Sequence, residues 1–375
     1  MKRLLILCGG KSAEHEISLK TAKNILKALD RSKFMPILVA VSRSGTWYYF
    51  EDETFLEEQE YINDVYDIGL IASLVKFPAY SCLSTQQGVT IPIDIALPIF
   101  HGPNGEDGTI QGLLDLCDVP YVGSGVMASA IGMDKDIFKQ ILGFHNIPVT
   151  PSITLTQMHD RPTYTHLVNA LGGQTFFIKP ACMGSSVGVS KVKDAEELDA
   201  AIDQAFHYSH KVLIEKGINV REIECAVLGN LVPQASVPGE ICPTHDFYSY
   251  EAKYIDPEGA GLVIPAMLDP EITKKIQELS LKVFKTIDCR GLARVDFFLT
   301  PESYIYVNEI NTFPGFTNIS MYPKLWQESG ISYPDLISKL IDFALEEHEL
   351  KRNLKVDYEY LGNMAVELTR PTISQ

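Results

Sequence analysis

Residues 292–320 read LARVDFFLTPESYIYVNEINTFPGFTNIS and predict a β-hairpin followed by a loop. Two β-rich runs flank a Thr-Pro-Glu-Ser turn, and alternate side chains of a strand point to opposite faces. If Glu302 and Ser303 form a two-residue turn, one face of the hairpin carries four polar side chains, with Asp296 opposite Glu309 and Arg294 opposite Asn311. The other face is then the core face, and it carries Val295, Phe297, Leu299, Tyr306, Asn308 and Ile310. A one-residue slip in register would break this grouping.

The polar face of this hairpin predicts a metal site. Two carboxylates on neighbouring strands repel each other unless a cation lies between them. The oxygen atoms of Asp296, Glu309 and Asn311 suit Mg²⁺, which binds to a few carboxylates and completes its shell with water and phosphate. The competing interpretation is a solvated ladder of ion pairs in which Arg294 neutralises both acids.

Length and composition indicate a globular protein of two or three domains. The chain has 375 residues, 46% of them hydrophobic, which is enough for sizeable cores. Asp and Glu outnumber Lys and Arg by 48 to 32, and the net charge is -16. This charge disfavours nucleic acid and anionic membranes as general partners. An anionic ligand would need local positive charge and backbone amides.

The cysteines and the N-terminus predict a cytoplasmic protein. The seven cysteines are scattered, odd in number and without a Cys-x-x-Cys pair, which favours reduced thiols over disulfides or a zinc site. The apolar run after Met1-Lys2-Arg3 stops at Gly9 and is too short for a signal peptide. No window of the sequence approaches the length of a membrane-spanning helix.

Two loops at predicted strand ends are candidate ligand contacts. The run Leu4–Leu7 predicts a buried strand, and the glycine-rich loop that follows it contains Glu14. Such loops line the ligand crevice of open α/β sheets, although Glu14 could equally serve only to stabilise a helix N-terminus. The strand 93–100 ends in His101-Gly-Pro-Asn-Gly-Glu-Asp-Gly, where His101 is a contact candidate.

Amphipathic or apolar helical runs are predicted at 19–29, 109–116, 195–207, 270–287 and 333–345.

A Gly-x-Gly-x-x-Ala match at Gly123 to Ala128 follows a short strand. A dinucleotide-binding turn of this kind requires an acidic residue at a strand end roughly 20 residues further on. That position lies instead in a helical segment with Lys135, Lys139 and Gln140. The match therefore indicates a tight strand-to-helix turn at a domain junction.

The segment after residue 175 predicts a phosphate-binding loop. A strand at 176–180 carries Lys179, and Gly184-Ser-Ser-Val-Gly188 follows with small side chains. Amides and hydroxyls of such a loop can bind phosphate oxygens, while Lys179 supplies positive charge. An ordinary flexible hairpin loop is the alternative.

Later segments predict a nucleotide pocket and a lid. The strand 212–218 becomes polar at its end, and Glu222 and Glu224 of the next strand share a face. A polar strand end can pair with an adenine edge, and an acid nearby can bind ribose hydroxyls. The loop-like region 238–262 is rich in aromatics and contains Lys253, which favours a lid that excludes water and reaches phosphate. Residues 51–90 are irregular and predict a surface flap.

Six motifs together closely resemble those of D-alanine:D-alanine ligases in the ATP-grasp superfamily. The resemblance runs from Leu4 to about Leu345, and the order and spacing of the motifs make it specific. The motifs are Gly-Gly-Lys-Ser-Ala-Glu14, His101-Gly-Pro-Asn-Gly-Glu-Asp-Gly, Gly184-Ser-Ser-Val-Gly, Tyr250-Glu-Ala-Lys-Tyr254, Arg294-Val-Asp296 and Asn308-Glu-Ile-Asn-Thr-Phe-Pro-Gly315.

The resemblance implies a three-domain ATP-grasp architecture of α/β and α+β class. An N-terminal open parallel sheet (residues 1–123) would precede a central domain (124–215) and a C-terminal catalytic domain (216–375). The central and C-terminal domains would clamp ATP between two antiparallel sheets. The resemblance also implies a homodimer.

The same resemblance implies a role for individual residues. The ligands of two Mg²⁺ ions, with Mn²⁺ as an alternative, would be Asp296, Glu309 and Asn311. Contacts to the ATP phosphates would be Lys135, Lys179 and Lys253, and the adenine and ribose contacts would be Glu215, Lys216, Ile218 and Glu222. Glu14 would hold the ammonium of the first D-alanine and, with Ser185 and Tyr254, close the lid. His101 and Ser320 would lie beside the second D-alanine, and Arg294 with the Gly315 amide would form the oxyanion hole.

The resemblance implies an ATP-dependent ligation of two D-alanines. The reaction would pass through D-alanyl phosphate and supply peptidoglycan precursor synthesis. The sequence departs from the family pattern at Cys182-Met183, which is apolar where the family often has polar residues. Tyr254 resembles the members that form a dipeptide rather than a D-alanyl-D-lactate ester. Another carboxylate-amine ligase and a non-catalytic nucleotide binder are the competing hypotheses.

Overall fold

The computed structural model describes residues 1–53, 56, 69–243 and 260–355. Within these ranges the chain forms three β-sheets with helices packed against them. The sheets have seven, four and six strands. None of the helices in the described ranges is long and apolar enough to cross a membrane.

The first sheet is mixed, with a parallel centre. Its strands are β1 (Lys2–Gly9), β2 (Phe34–Val41), β3 (Trp47–Phe50), β4 (Leu70–Lys76), β5 (Ser81–Thr85), β6 (Thr90–Pro92) and β7 (Ile95–Pro98), in the order β6-β5-β4-β3-β2-β1-β7. Strands β2, β1 and β7 are parallel, whereas β3 to β6 extend the sheet in antiparallel fashion. The expectation of an open parallel sheet therefore holds only for its centre.

The helices α1 (His15–Ala28) and α2 (Thr109–Leu116) follow β1 and β7 in the chain. Gly9 makes the exit from β1 possible: its φ is +82°, and a Cβ there would lie 2.4 Å from the Val41 carbonyl oxygen. Only glycine tolerates both conditions, so the loop that carries Glu14 starts at this residue.

The description of residues 51–90 as irregular was wrong for the described part after residue 69, which forms β4 to β6. Strand β4 buries only Ala72, so its sequence lacks the apolar alternation that marks a half-buried strand.

The second sheet is antiparallel. Its strands are β8 (Ser152–Thr156), β9 (Phe176–Pro180), β10 (Ser190–Val192) and β11 (Lys211–Lys216), in the order β10-β9-β11-β8. The helices α5 (Tyr164–Leu171) and α6 (Ala195–Phe206) share a hydrophobic core with it.

The third sheet is also antiparallel. Its strands are β12 (Arg221–Leu228), β13 (Gln234–Ala235), β14 (Gly239–Pro243), β15 (Ala260–Val263), β16 (Leu292–Leu299) and β17 (Ile305–Asn311), in the order β15-β14-β12-β16-β17 with β13 beside β12. The helices associated with it are α3 (Val126–Met133), α4 (Lys135–Phe144), α7 (Pro270–Thr286), α8 (Met321–Glu328) and α9 (Tyr333–Arg352). The core of this sheet includes Phe138 and Leu142 of α4, so a helix that precedes the second sheet in sequence packs with the third.

The five predicted helical runs are all present: the helix at 109–116 has the predicted ends, and the other four differ from the prediction at one end or both. Helix α7 begins where Asp269 accepts a hydrogen bond from the Glu271 amide and Pro270 occupies the first turn, both of which favour a helix start. Helix α9 continues to Arg352, past the predicted end at residue 345. Its last two turns consist mainly of charged residues, so they lack the regularly spaced apolar residues from which the helix was predicted.

The end of the β16–β17 hairpin away from its turn has the predicted pairing, but a longer turn and a β-bulge produce it together. Arg294 pairs with Asn311 and Asp296 with Glu309, as predicted. The turn, however, has three residues, with Ser303 in the left-handed conformation at φ 65°. A β-bulge at Asn308 adds one residue to β17 and restores the predicted pairing.

The bulge also changes which residues of β17 face the core. Ile305 and Val307 are buried, whereas Tyr306 and Asn308 are partly exposed. The assignment of Tyr306 and Asn308 to the core face was therefore wrong. The error arose because an uninterrupted period of two cannot reveal a bulge from sequence.

Matched substitutions on β17 test this register. Val307→Asn places an amide in the apolar core and should lower the free energy of unfolding by about 3 kcal/mol or more. Tyr306→Asn loses mainly the contact with the Tyr304 ring, at 4.6 Å between centroids, and should lower it by about 1 kcal/mol. Urea unfolding of both variants measures the difference, and a larger effect of Tyr306→Asn would support the uninterrupted hairpin instead.

Candidate functional site

A cavity of about 450 Å³ lies between the second and third sheets. Its walls are strongly polar at one end and contain aromatic and aliphatic side chains elsewhere. The residues that line it include ten of the predicted site residues: Lys135, Lys179, Ser185, Glu215, Lys216, Ile218, Glu222, Arg294, Asp296 and Glu309. Residues far apart in the sequence thus meet in one cleft.

The polar face of the hairpin forms the cavity wall on the side of the third sheet. The Arg294 guanidinium donates two hydrogen bonds to the Asp296 carboxylate, each 2.7 Å long. Arg294 Nε also lies 2.9 Å from Glu224 Oε2, and the Asn311 amide donates to Asp296 Oδ2 at 2.9 Å. Burial opposes the charge on Arg294, but Asp296 and Glu224 outweigh it and raise the pKa of the guanidinium.

This arrangement decides between the two interpretations of the polar face. Arg294 does neutralise Asp296, as the ion-pair ladder required. The Asp296 residue is only 8% exposed, however, and it borders a cavity rather than open solvent. A solvated surface ladder is therefore wrong for this face of the hairpin.

Lys135 connects helix α4 to the same wall. Its ammonium lies 3.0 Å from Glu309 Oε2 and donates a hydrogen bond to the Met183 carbonyl oxygen at 2.9 Å. Burial opposes the charge on Lys135, but Glu309 outweighs it and raises the pKa of the amine. The Asp134 carboxylate caps α4 by accepting from the Asp136 and Ile137 amides, which fixes the start of the helix beside the cavity.

A buried group of three charges lies on the side of the second sheet. Glu215 on β11 accepts from two lysines, with Lys179 Nζ at 2.5 Å and Lys139 Nζ at 2.7 Å. Burial opposes the charge on Glu215, but Lys179 and Lys139 outweigh it and lower the pKa of the carboxyl to about 2. The ammonium of Lys179 also lies 5.8 Å from the centre of the Phe298 ring on the opposite sheet.

The loop Gly184–Gly188 meets the loop that follows β1. Ser185 Oγ donates a hydrogen bond to Glu14 Oε1 at 2.6 Å, which joins residues from the first and second sheets. Ser185 and Ser186 both have positive φ, at 51° and 58°, a conformation that is unfavourable for residues with a side chain. Strained backbone of this kind is concentrated at ligand clamps and switch segments.

His101 and Glu106 form a second polar group near Glu14. His101 is buried, and its ring centroid lies 6.3 Å from that of Phe313 in the loop after β17. Burial lowers the pKa of His101, which makes the imidazole neutral at pH 7. The Gly102 amide donates to Glu106 Oε2 at 2.7 Å. Partial burial of Glu106, reinforced by the charge of Glu14, raises the pKa of its carboxyl to about 8.

Gly315 and Ser320 lie together in the loop before α8. A Cβ at Gly315 would lie 3.3 Å from Ser320 Oγ, and the Thr317 amide donates to the same oxygen at 3.2 Å. Ser320 occupies the N-cap position of α8. The neighbouring Phe316 carbonyl accepts a hydrogen bond from the Tyr333 hydroxyl at 2.7 Å, which fixes this loop to α9.

The structure therefore brings most of the predicted residues together, although it separates them into two regions. The cavity between the sheets holds the ten residues named above, with Asn311 beside Asp296. Glu14, His101, Gly315 and Ser320 do not line this cavity and lie in the loops after β1, β7 and β17. Lys253 and Tyr254 lie outside the described residues.

Lys139 and Glu106 are charged residues of these regions that were not among the predicted site residues. Lys139 lies one helical turn after Lys135, so the period of α4 could have placed both lysines on one face. Glu106 belongs to the Gly-Glu-Asp-Gly run after His101, but nothing in that run indicates that its carboxyl is enclosed. The carboxylate partner of Lys139, Glu215, comes from a distant part of the chain, which sequence spacing cannot show.

The oxygen atoms on the hairpin fit a hard divalent cation. Two carboxylates and one amide oxygen, from Asp296, Glu309 and Asn311, are the donor types that Mg²⁺ prefers. Among the described residues, no three His, Cys, Asp or Glu side chains converge on a point, so the amide would complete the set. The lysine and arginine beside these acids add positive charge that favours an anionic ligand next to the cation.

Comparisons with known proteins identify similar chains. One family model, described as D-ala D-ala ligase N-terminus, matches residues 3–124, and a second, described as D-ala D-ala ligase C-terminus, matches residues 141–342. D-alanine--D-alanine ligase A of Escherichia coli (strain K12) is 48% identical over 360 residues, which cover 94% of this chain and 98% of that protein. D-alanine--D-alanine ligase of Shouchella clausii (strain KSM-K16) is 46% identical, with coverage of 94% and 97%.

Solved structures share the fold. The D-alanine-D-alanine ligase from Coxiella burnetii superposes with a TM-score of 0.85 at 36% identity, and the match covers 98% of this chain and 99% of that chain. The VanG D-Ala:D-Ser ligase from Enterococcus faecalis superposes with a TM-score of 0.82 at 33% identity, with coverage of 92% and 99%. The fold class expected from the sequence is thereby confirmed, with the first sheet mixed rather than parallel.

The raised pKa of Glu106 predicts a pH-dependent stability. A carboxyl with a pKa of about 8 in the folded state, above its ordinary value, keeps a proton that the unfolded chain releases. Its contribution to stability is complete below about pH 4.5 and is lost as the pH rises to 8, by at most about 1.4 kcal/mol per unit. We therefore expect Glu106→Gln to gain stability relative to the wild type between pH 5 and pH 8. Urea unfolding at several pH values measures this, and a constant difference between the two proteins would contradict it.

Proposed function

The chain belongs to the D-alanine–D-alanine ligase family and is an ATP-dependent ligase, and from that premise we propose how its residues carry out the reaction. The enzyme joins two D-alanines into D-alanyl-D-alanine for peptidoglycan precursor synthesis. The first D-alanine carboxylate attacks the γ-phosphate of ATP to give D-alanyl phosphate and ADP, and the amine of the second D-alanine then displaces phosphate, forming the peptide bond and losing a proton. A carboxylate is a poor acyl donor, which is why the reaction needs the phosphorylated intermediate.

One observation carries this proposal: the cleft between two antiparallel sheets brings lysines and carboxylates together beside a loop that is hydrogen-bonded to Glu14. Lysines reach the cleft from α4 and β9, and acids reach it from β16 and β17. The loop at Ser185 closes one side through its hydrogen bond to Glu14. Phosphoryl transfer is catalysed mainly by positioning and by neutralising charge, and this cleft offers both.

We assign the phosphoryl-transfer step to the charged end of the cleft. Lys135 and Lys179 hold the ATP phosphates, together with Lys253, which lies outside the described residues. The amides of the Gly184–Gly188 loop cover the transferred group. Lys216, Ile218 and Glu222 line the same cavity beyond Glu215 and hold the adenosine.

Two divalent cations, Mg²⁺ or Mn²⁺, complete this end of the site in the proposal. Asp296, Glu309 and Asn311 would hold them, because these side chains supply hard oxygen atoms on one face of the hairpin. When bound, the cations would neutralise charge on the phosphates during transfer. Arg294 and Lys135 then balance the remaining negative charge of the acids.

We assign the first D-alanine to the region of Glu14. The Glu14 carboxylate holds the ammonium of this substrate, and Ser185 and Tyr254 complete the network that closes the lid. The hydrogen bond between Ser185 and Glu14 links substrate binding to the phosphate loop. Closure excludes water, which would otherwise hydrolyse the acyl phosphate.

We assign the second step to the loop after the hairpin. The tetrahedral intermediate carries an oxyanion, and Arg294 with the Gly315 amide donates hydrogen bonds to it. His101 and Ser320 lie beside the second D-alanine. Arg294 is suited to this role because Asp296 and Glu224 fix its guanidinium in the cleft.

The proposal extends to assembly, location and domain boundaries. The enzyme is a cytoplasmic homodimer with three domains, at residues 1–123, 124–215 and 216–375. The cytoplasmic location is supported by its substrates, which are ATP and D-alanine. Light scattering at several protein concentrations measures the mass of the assembly, and a monomer mass at all of them would contradict the dimer.

The first test of this function is an assay of phosphate release. We expect release from ATP that requires both D-alanine and Mg²⁺, with D-alanyl-D-alanine identified by mass. L-alanine should give no response, and equal turnover of both enantiomers would overturn the proposal. D-serine and D-lactate as second substrates serve as comparisons, because the VanG structure is named as a D-Ala:D-Ser ligase.

The second test addresses the acids of the hairpin. Asp296→Asn and Glu309→Gln should abolish turnover, because each removes a charged oxygen ligand while conserving the size of the side chain. Thermal unfolding checks that both variants remain folded. Glu240→Gln is the matched control: it removes a carboxylate paired with Arg221 at 2.6 Å on the same sheet, outside the cavity. Near-normal activity of the two hairpin variants would overturn their assignment as metal ligands.

A further inference from the structure

Lys139 is buried behind the cavity rather than in it. Its side chain is 6% exposed, and it is not among the residues that line the cleft. Its ammonium lies 2.7 Å from Glu215 Oε1 and donates to the Thr150 carbonyl oxygen at 3.0 Å. Glu215 in turn lies 2.5 Å from Lys179 through its other oxygen, Oε2. The carboxylate therefore joins a lysine that lines the cavity to one that does not.

The charges of this group explain why two lysines are needed. The Glu215 side chain is only 3% exposed, so water cannot solvate its charge. If Lys179 alone paired with it, moving the Lys179 ammonium toward a ligand would leave a buried carboxylate without a counter-ion, which is strongly unfavourable. With Lys139 in place, the carboxylate keeps one cation when Lys179 moves. Lys139 thus lowers the free-energy cost of moving the Lys179 ammonium from Glu215 to a ligand.

Lys139 cannot follow Lys179 into the cavity, because its helix is fixed. Asp134 caps α4, and Lys211 of β11 forms ion pairs with Asp134 at 2.7 Å and with Asp136 at 2.8 Å. The Lys135 amide donates to the Ala181 carbonyl oxygen at 3.0 Å. These contacts join the start of α4 to the second sheet and keep the Lys139 ammonium beside Glu215.

We propose that Lys139 is a positioning residue that keeps Glu215 neutralised while Lys179 is transferred from that carboxylate to a phosphate of ATP. The inference rests on the proposed function, in which Lys179 contacts phosphate. Lys139 itself touches neither substrate nor the reacting atoms. Its contribution is to make the Lys179 ammonium available, and it acts on nucleotide binding rather than on D-alanine.

The test is Lys139→Met, which keeps the length of the side chain and removes its charge. We expect the KM for ATP to rise at least about tenfold, because a tenfold change corresponds to only 1.4 kcal/mol of lost compensation. The KM for D-alanine should change less than twofold. Lys282→Met is the matched control, since Lys282 donates to the His145 carbonyl oxygen at 3.0 Å and lies away from the cleft. It should leave both KM values unchanged.

A double variant separates this role from a purely structural one. In Glu215→Gln the buried charge is absent, so the further change Lys139→Met should alter ATP binding less than twofold. Such non-additivity is expected only if Lys139 acts through the charge of Glu215. Equal effects of Lys139→Met with and without Glu215→Gln would overturn the proposal. If Lys139→Met alone does not fold, ATP binding of Glu215→Gln is compared with that of the double variant, and a difference of more than twofold between them would overturn the proposal.

Proton uptake gives an independent readout. Titration calorimetry of adenylyl imidodiphosphate with Mg²⁺, in buffers of different ionisation enthalpy, counts protons bound with the nucleotide. In Lys139→Met, Glu215 should take up a proton when Lys179 leaves it, because both lysines that neutralise its charge are then absent and, among the described residues, the more distant Lys135 is the remaining cation that acts on it. The wild type should take up none at Glu215. No difference in proton uptake between the two proteins would overturn the proposal.

These measurements also distinguish the inference from the function on which it rests. Binding of the nucleotide analogue needs no turnover. A wild type that binds the analogue but forms no dipeptide would overturn the proposed function and leave the Lys139 comparison readable. A wild type that does not bind the analogue would overturn both.

Discussion

The pairing of buried charges between strands and helices is the constraint on which the cleft depends. Ionised groups in a low-dielectric interior are unfavourable unless each has a partner of opposite charge. Arg294 meets this condition with Asp296 and Glu224, and Lys135 meets it with Glu309. Lys135 also donates to the Met183 carbonyl oxygen in the loop after β9, so its ammonium joins the second sheet's side of the cleft to Glu309 on the third sheet.

Helix α4 is the element through which these contacts are joined. It packs with the core of the third sheet through Phe138 and Leu142, yet its lysines and acids bind residues of the second. The loop at Ser185 extends the connection to the first sheet through Glu14. Helix α4 and the loop at Ser185 therefore connect residues of all three sheets around the cleft.

The β16–β17 hairpin shows how far sequence reasoning reached and where it failed. The residues that face each other at its functional end were predicted, and so was the face that they share. The three-residue turn and the bulge at Asn308 were not, and each would have shifted the register had the other been absent. Local sequence could not reveal the bulge, because its position depends on which side chains of β17 are buried in the core.

The sequence by itself determined the chemistry of this protein: the motifs, their order, the acids and lysines that can serve a phosphoryl transfer, and the family that they indicate. Tertiary structure alone decided which charges became partners. Lys139 pairs with Glu215, and Arg294 with Glu224, across large separations in the chain. The physical reason is that a motif records local geometry, whereas charge compensation depends on burial, and burial is known only when distant elements have packed together.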